Sequence, residues 1–170
     1  MIDQDLKKKI IKWIWYSLFL FLMYILQCVP QLFEIMGAKP VLILPAAVGI
    51  GVVEGEISAA WVGGIMGLCW DVSSCRLSGL HAITMCVGCV AVCLLCKAIL
   101  RPTLVNLSMV SAVMMLAITM FDYLLSFFFY YENSFYLLQQ QMIPSVVYTA
   151  LVSPFILYCI KRMAPKEQFL

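Results

Sequence analysis

Residues 40–72 read PVLILPAAVGIGVVEGEISAAWVGGIMGLCWDV, two apolar runs separated by a Glu-Gly-Glu turn at 54–56. Each run, 40–53 and 57–72, is shorter than the roughly 20 residues that usually span a bilayer. Either run can still form a tilted or partly protein-covered helix, because an unpaired backbone group in lipid costs several kcal/mol. The chain has six spans if the two runs cross separately and five if they are one span.

The composition is that of a membrane protein. Of the 170 residues, 64% are hydrophobic and 12% are charged, about half the charged share of a soluble domain. These values exclude a water-soluble fold and leave no room for a separate soluble domain, so we expect one integral membrane domain over 1–170. The predicted spans lie at about 11–33, 40–53, 57–72, 80–100, 104–130 and 142–160.

The basic residues select six spans, because lysine and arginine in short loops concentrate on the cytoplasmic side. Six spans with an inside N-terminus leave only Lys39 and Arg76 outside. Five spans would put the basic C-terminal tail outside. We therefore predict an all-α bundle of six transmembrane helices in the cell membrane, with both termini cytoplasmic. The bases placed inside are Lys7, Lys8, Lys9, Lys12, Lys97, Arg101, Lys161, Arg162 and Lys166.

Small residues recur every four positions in the third run, at Ala59, Gly63 and Gly67 and again at Ala60 and Gly64. Such faces let helix backbones approach closely in lipid. The pattern fits packing within the chain and also an interface with another membrane protein, and the two can coexist.

A stripe of four cysteines, Cys86, Cys89, Cys93 and Cys96, follows the fourth helix within an arc of about 80°. Thiolates spread along about 15 Å of helix cannot converge on one zinc ion. We expect the stripe to serve packing, although its role is not given by the sequence. With a single histidine in the chain and no phosphate or dinucleotide motif, we expect no metal and no cofactor.

Three ionisable groups fall in or against the outer half of the membrane: Asp71, His81 and Asp122. Charge at such depth is costly, so intramembrane acids normally face the bundle interior and find a partner. We hypothesise that Asp122 meets His81 or the Asp71 region, either as a structural polar contact or as a binding determinant.

Enzymatic interpretations find little support, and we predict no catalytic residue. The two membrane aspartates lack the Gly-x-Gly-Asp context of intramembrane aspartyl proteases, in which paired carboxylates share a proton. Ser78 lies too near His81 in the sequence to suggest a triad, and the glutamates at 54 and 56 are predicted to form a solvated inner turn. The bases are not pooled into one patch, so no nucleic acid partner is expected.

The stretches GGIMGLCWDV at 63–72 and LSGLHA at 77–82 resemble the central signature of the MreD family of bacterial rod shape-determining proteins. In that family a glycine-bearing helix ends in Gly-Leu-x-x-Asp, and a short loop leads to a Gly-x-x-Ala start of the next helix. The loop here departs from the pattern at positions 75 and 76. The matching positions, expected to make partner or structural contacts, are Gly63, Gly67, Asp71, Gly79 and His81.

The resemblance implies a non-enzymatic scaffold of the machinery that elongates the lateral cell wall and maintains rod shape. It would bind an MreC-like single-span partner in the bilayer, near the MreB filament and the peptidoglycan polymerase and transpeptidase.

The fold also resembles the substrate-binding subunit of energy-coupling-factor vitamin transporters, which is the alternative function. Those subunits usually dock their coupling partner through alanines on the first helix, and the first span, 14–29, contains no alanine or glycine.

Overall fold

A computed structural model describes residues 2–29, 39–74, 79–100, 103–124 and 143–164. Within these ranges the chain is helical and contains no strand, which confirms the all-α prediction. One helix falls in each of the six predicted apolar runs. The helices are α1 (Ile2–Cys28), α2 (Ile43–Glu54), α3 (Glu56–Ser74), α4 (Leu80–Ala98), α5 (Leu104–Asp122) and α6 (Ile143–Met163).

Four of these helices are long and apolar enough to cross a membrane: α1 from Leu6 onward, α4, α5 and α6. Helix α3 is not among them, and α2 has 12 residues, about 18 Å of helix. The lengths and apolar character confirm a multi-pass membrane protein. Crossing by α2 and α3, and the cytoplasmic position of the termini, stay predictions.

The short helix α2 lies at the centre of the bundle. It contacts each of the other five helices, and the stretch from Ile43 through Gly51 is buried throughout. A helix that is apolar on all its faces is typically a buried one. Because neighbouring helices cover α2, its short length does not expose its ends to lipid.

Close backbone contacts join α2, α3 and α4. A Cβ atom added at Gly67 would lie 2.4 Å from a backbone oxygen of α4, and one at Gly63 would lie 2.7 Å from another. Ala59 packs against Gly51 in the same way, 2.8 Å from an added Cβ. The face at 59, 63 and 67 is therefore internal packing. Gly64 differs, since its nearest neighbour would be a side chain 4.0 Å away.

Two ion pairs define one end of the bundle, which we call the Glu54 end. Lys12 Nζ of α1 lies 2.8 Å from Glu54 Oε1, and Lys97 Nζ of α4 lies 2.8 Å from Glu56 Oε1. The sequence-based expectation of a solvated turn is wrong for Glu54, whose side chain is only 9% exposed and is paired with the lysine. Gly55 between the two acids has φ +98°, which favours glycine.

Helices α5 and α6 form a second pair that packs on α2. Ser108 Oγ of α5 lies 2.5 Å from Ser153 Oγ of α6. Contact between α5 and α4 is less extensive, and there the Met114 side chain covers Gly88. Helix α5 is therefore packed mainly against α6 and α2, and less against α4.

Candidate functional site

Asp71, near the end of α3, caps the beginning of α4. Its Oδ2 accepts hydrogen bonds from the backbone N–H groups of Gly79 (2.9 Å) and Ala82 (3.2 Å), and its Oδ1 accepts one from His81 N–H (3.2 Å). The first N–H groups of a helix have no partner within it, and a negative charge there interacts favourably with the helix dipole. Gly79 has φ +96°, a conformation that favours glycine at this turn.

The His81 ring connects three helices. Its Nδ1 lies 2.7 Å from Asp71 Oδ1 on α3, and its Nε2 lies 2.8 Å from Asp122 Oδ2 on α5. Trp70 packs against the ring, with centroids 4.4 Å apart. His81 is 1% exposed, Asp71 5% and Asp122 6%, so the Asp71–His81–Asp122 cluster is buried inside the protein.

The geometry fixes how many protons the cluster needs. Both ring nitrogens face a carboxylate oxygen, yet a neutral imidazole carries only one N–H. Two arrangements satisfy both contacts: an imidazolium between two carboxylates, or a neutral ring with one protonated carboxyl group. Each contains two protons and has a net charge of −1, and the positive N-terminal end of α4 offsets part of that charge.

The arrangement is suited to holding helices together. An aspartyl-protease pair needs two carboxyl groups that share a proton directly, whereas here the imidazole lies between them. Asp71 already accepts three backbone hydrogen bonds and contacts the ring. In the part of the chain that the structure describes, no group of three or more metal-ligating side chains could hold a metal ion.

The structure brings together four of the residues singled out in the sequence, Asp71, Gly79, His81 and Asp122, at one end of the bundle. The Asp122–His81 contact is the pairing that the hypothesis named, although its functional role stays a prediction. Gly67 lies beside the cluster, where α3 meets the first turn of α4, and Gly63 lies further along the same contact. Ser78, like the loop positions 75 and 76, lies outside the described residues.

Sequence reasoning missed two contacts of this framework. The first is the packing of the Trp70 ring on His81. The second is the Lys12–Glu54 ion pair, although opposite charges at the beginning of the first apolar run and just after the end of the second were a usable signal. Both contacts join elements whose rotation about their own axes is not visible in the sequence.

The cysteine stripe faces α3. Cys89 and Cys93 are buried, Cys86 and Cys96 are partly exposed, and all four are free thiols. A Cβ added at Gly63 would lie 3.1 Å from Cys89 Sγ, so this sulfur occupies space that the glycine leaves open. The contact agrees with the packing interpretation, because a cysteine side chain behaves as a small hydrophobe.

A family model described as rod shape-determining protein MreD matches residues 7–162. The matched range includes the buried cluster and α2–α5 in full. No curated protein and no solved structure matches the chain, so the likeness to transporter subunits stays a prediction. Together with the membrane-spanning helices, the match shows that the chain belongs to the MreD family of rod shape-determining proteins, multi-pass proteins of the cell membrane.

Proposed function

We propose that this protein is a non-enzymatic scaffold in the machinery that elongates the lateral cell wall. The observation that carries the proposal is the buried cluster, whose polar atoms are directed at one another and at the α4 backbone. A catalytic carboxylate has to reach a substrate, whereas Asp71 and His81 are almost completely covered. Their hydrogen bonds instead fix the relative positions of α3, α4 and α5.

The proposed partner is an MreC-like single-span protein, close to the MreB filament and to the peptidoglycan polymerase and transpeptidase. Membership of the MreD family supports this assignment. Because the cluster is buried, we propose that it acts on the partner indirectly, by holding α3 and α4 in one arrangement. The nine-to-two distribution of basic residues supports an outer position for the cluster and a cytoplasmic position for the Glu54 end.

Two substitutions on α3 test whether the α3–α4 arrangement is needed. Gly67→Leu forces α3 away from α4, since even a Cβ would lie 2.4 Å from backbone, whereas a Cβ at Gly64 would make only an ordinary contact, 4.0 Å from the Cys86 side chain. We expect Gly67→Leu to reduce recovery of the co-expressed single-span partner at least tenfold, and Gly64→Leu to leave recovery unchanged. We expect Asp71→Ala to reduce partner recovery as well, because it removes the cap of α4 without adding bulk.

The readouts separate insertion from function. Membrane content and size-exclusion profile report whether each variant inserts and folds, and cell shape after depletion of the wild-type chain reports its function. Cells that remain rods after complete depletion would contradict the proposed function. Normal partner recovery with inserted Gly67→Leu and Asp71→Ala would limit the motif to internal packing. Thermal stabilisation by riboflavin, thiamine or biotin would favour the transporter alternative, since a tight ligand stabilises the folded state.

A further inference from the structure

An apolar groove of about 340 Å³ lies between α1 and α3. On α1 it extends from Trp13 to Tyr24, which is about 16 Å at 1.5 Å per residue, and on α3 from Val62 to Cys69. Leu20, which is buried, forms part of its lining. The groove therefore runs along α1 within the segment apolar enough to cross the membrane.

The groove exists because α1 is fastened to α2 at two points rather than packed along α3. Lys12 pairs with Glu54 at one end, and Gln27 Oε1 accepts a hydrogen bond from Ile43 N–H (3.2 Å) at the other. Between these points α1 makes few contacts with α3, and the small side chain of Ser17 leaves space. Protein interiors are close-packed with few voids larger than a water molecule, so a groove of this size is room for another molecule.

The lining of the groove indicates what could occupy it. Its surface is almost entirely apolar, and its length of about 16 Å lies within the part of α1 that is apolar enough to cross the membrane. A lipid acyl chain is apolar, flexible and present throughout the bilayer core, so it can lie along such a groove without a complementary partner surface.

A positive charge at one end of the groove indicates which kind of lipid headgroup would bind there. Lys9 precedes Trp13 by four residues and Leu20 by eleven, so it lies on the groove face of α1, about 6 Å beyond Trp13 along the axis. Lys9 is exposed, and tryptophan at this level is typical of the membrane interface. Lys8 is also exposed but lies about 100° away around the helix.

We propose that this groove binds one anionic phospholipid, with an acyl chain between α1 and α3 and the phosphate at Lys9. A basic residue near the membrane surface attracts anionic lipid. Here the apolar groove begins about one helical turn from Lys9, on the same face of α1. The bound lipid would supply the contacts with α3 that α1 lacks. The proposal is independent of the proposed scaffold function.

The role of Lys9 in binding the phosphate is tested on the purified full-length protein. Native mass spectrometry measures how much phosphatidylglycerol and phosphatidylethanolamine the protein retains. We expect Lys9→Gln to lower the affinity for phosphatidylglycerol about fivefold, the effect of one lysine near a membrane surface. The matched control Lys8→Gln removes the same charge on a different face and should change affinity less than twofold. Equal losses from both variants would overturn the proposal, because they would indicate general surface attraction.

The groove component is tested by filling it. Ser17→Phe places a ring in the groove, and Leu18→Phe places one on a neighbouring position that is 57% exposed on α1. We expect Ser17→Phe to lower retention of both lipids at least fivefold with an unchanged thermal transition, and Leu18→Phe to change nothing. Unchanged lipid retention with Ser17→Phe would overturn the proposal, and simultaneous loss of a bound single-span protein would identify the groove as a protein interface instead.

Discussion

Replacing His81 on α4 and Asp122 on α5, singly and together, tests the buried cluster most directly. His81→Leu removes both ring nitrogens and leaves two buried carboxyl groups that have lost the imidazole. Asp122→Leu removes one carboxyl group and leaves His81 bonded to Asp71. The double variant replaces the His81–Asp122 contact between α4 and α5 by apolar side chains.

The expected free energies follow from the contacts. Breaking a buried charged pair by removing one partner costs about 3–5 kcal/mol, whereas hydrogen bonds between membrane helices average only about 0.6 kcal/mol. The first effect dominates here, because Asp71 and Asp122 are 5% and 6% exposed. Asp71 keeps its three backbone hydrogen bonds in both variants, which limits the loss, so we expect His81→Leu to cost about 2–4 kcal/mol and Asp122→Leu about 1–3 kcal/mol.

The double variant should be less destabilised than the sum of the single ones. Replacing both partners by apolar groups is often nearly neutral, so the coupling free energy should reach about 1.5–3 kcal/mol. Unfolding by SDS in mixed micelles, followed by circular dichroism, measures the free energy of each variant. Labelling of the Cys89 and Cys93 thiols, each 1% exposed, gives a second probe of the same transition.

The reasoning would be refuted by additive losses, within about 0.5 kcal/mol, in the double variant. It would also be refuted if His81→Leu cost less than about 1 kcal/mol, the net value of one ordinary hydrogen bond. Either result would mean that the cluster does not hold α5 against α4.

Three further predictions concern packing and are measured by the same unfolding experiment. Gly67→Ala should destabilise by about 1–3 kcal/mol because the added Cβ would lie 2.4 Å from backbone. Gly64→Ala, whose Cβ would lie 4.0 Å from its nearest neighbour, should stay within about 0.5 kcal/mol, and equal losses would contradict the close helix contact. Gly55→Ala should cost about 1–3 kcal/mol because φ is +98° there although nothing lies within 4 Å; no loss would show that the turn relaxes freely. Cys89→Ser should destabilise by about 1–2 kcal/mol because Cys89 is buried, and Cys86→Ser should destabilise by less because Cys86 is partly exposed. The reverse order would contradict the orientation of the cysteine stripe.

The helical class and the candidate residues could be predicted because they depend on neighbours in the sequence. The two apolar runs and the turn at 54–56 show where α2 ends and where α3 begins. The four-residue spacing of Ala59, Gly63 and Gly67 places these residues on one face of α3. The Gly-Leu-x-x-Asp pattern ending at Asp71 identified the family that the comparison then showed. Each of these signals lies within about 20 residues.

Only the tertiary structure decided which of these faces meet. It placed the short helix α2 at the centre, paired Lys12 with Glu54, and brought Asp122 to His81 across 41 residues. The physical reason is that composition and periodicity fix a helix and its apolar character, whereas its rotation and neighbours depend on packing with every other helix. The sequence by itself therefore determined a helical membrane protein with an acid, a histidine and a second acid at helix ends. The packing determined that the three form one buried cluster, and that α1 leaves a groove beside α3.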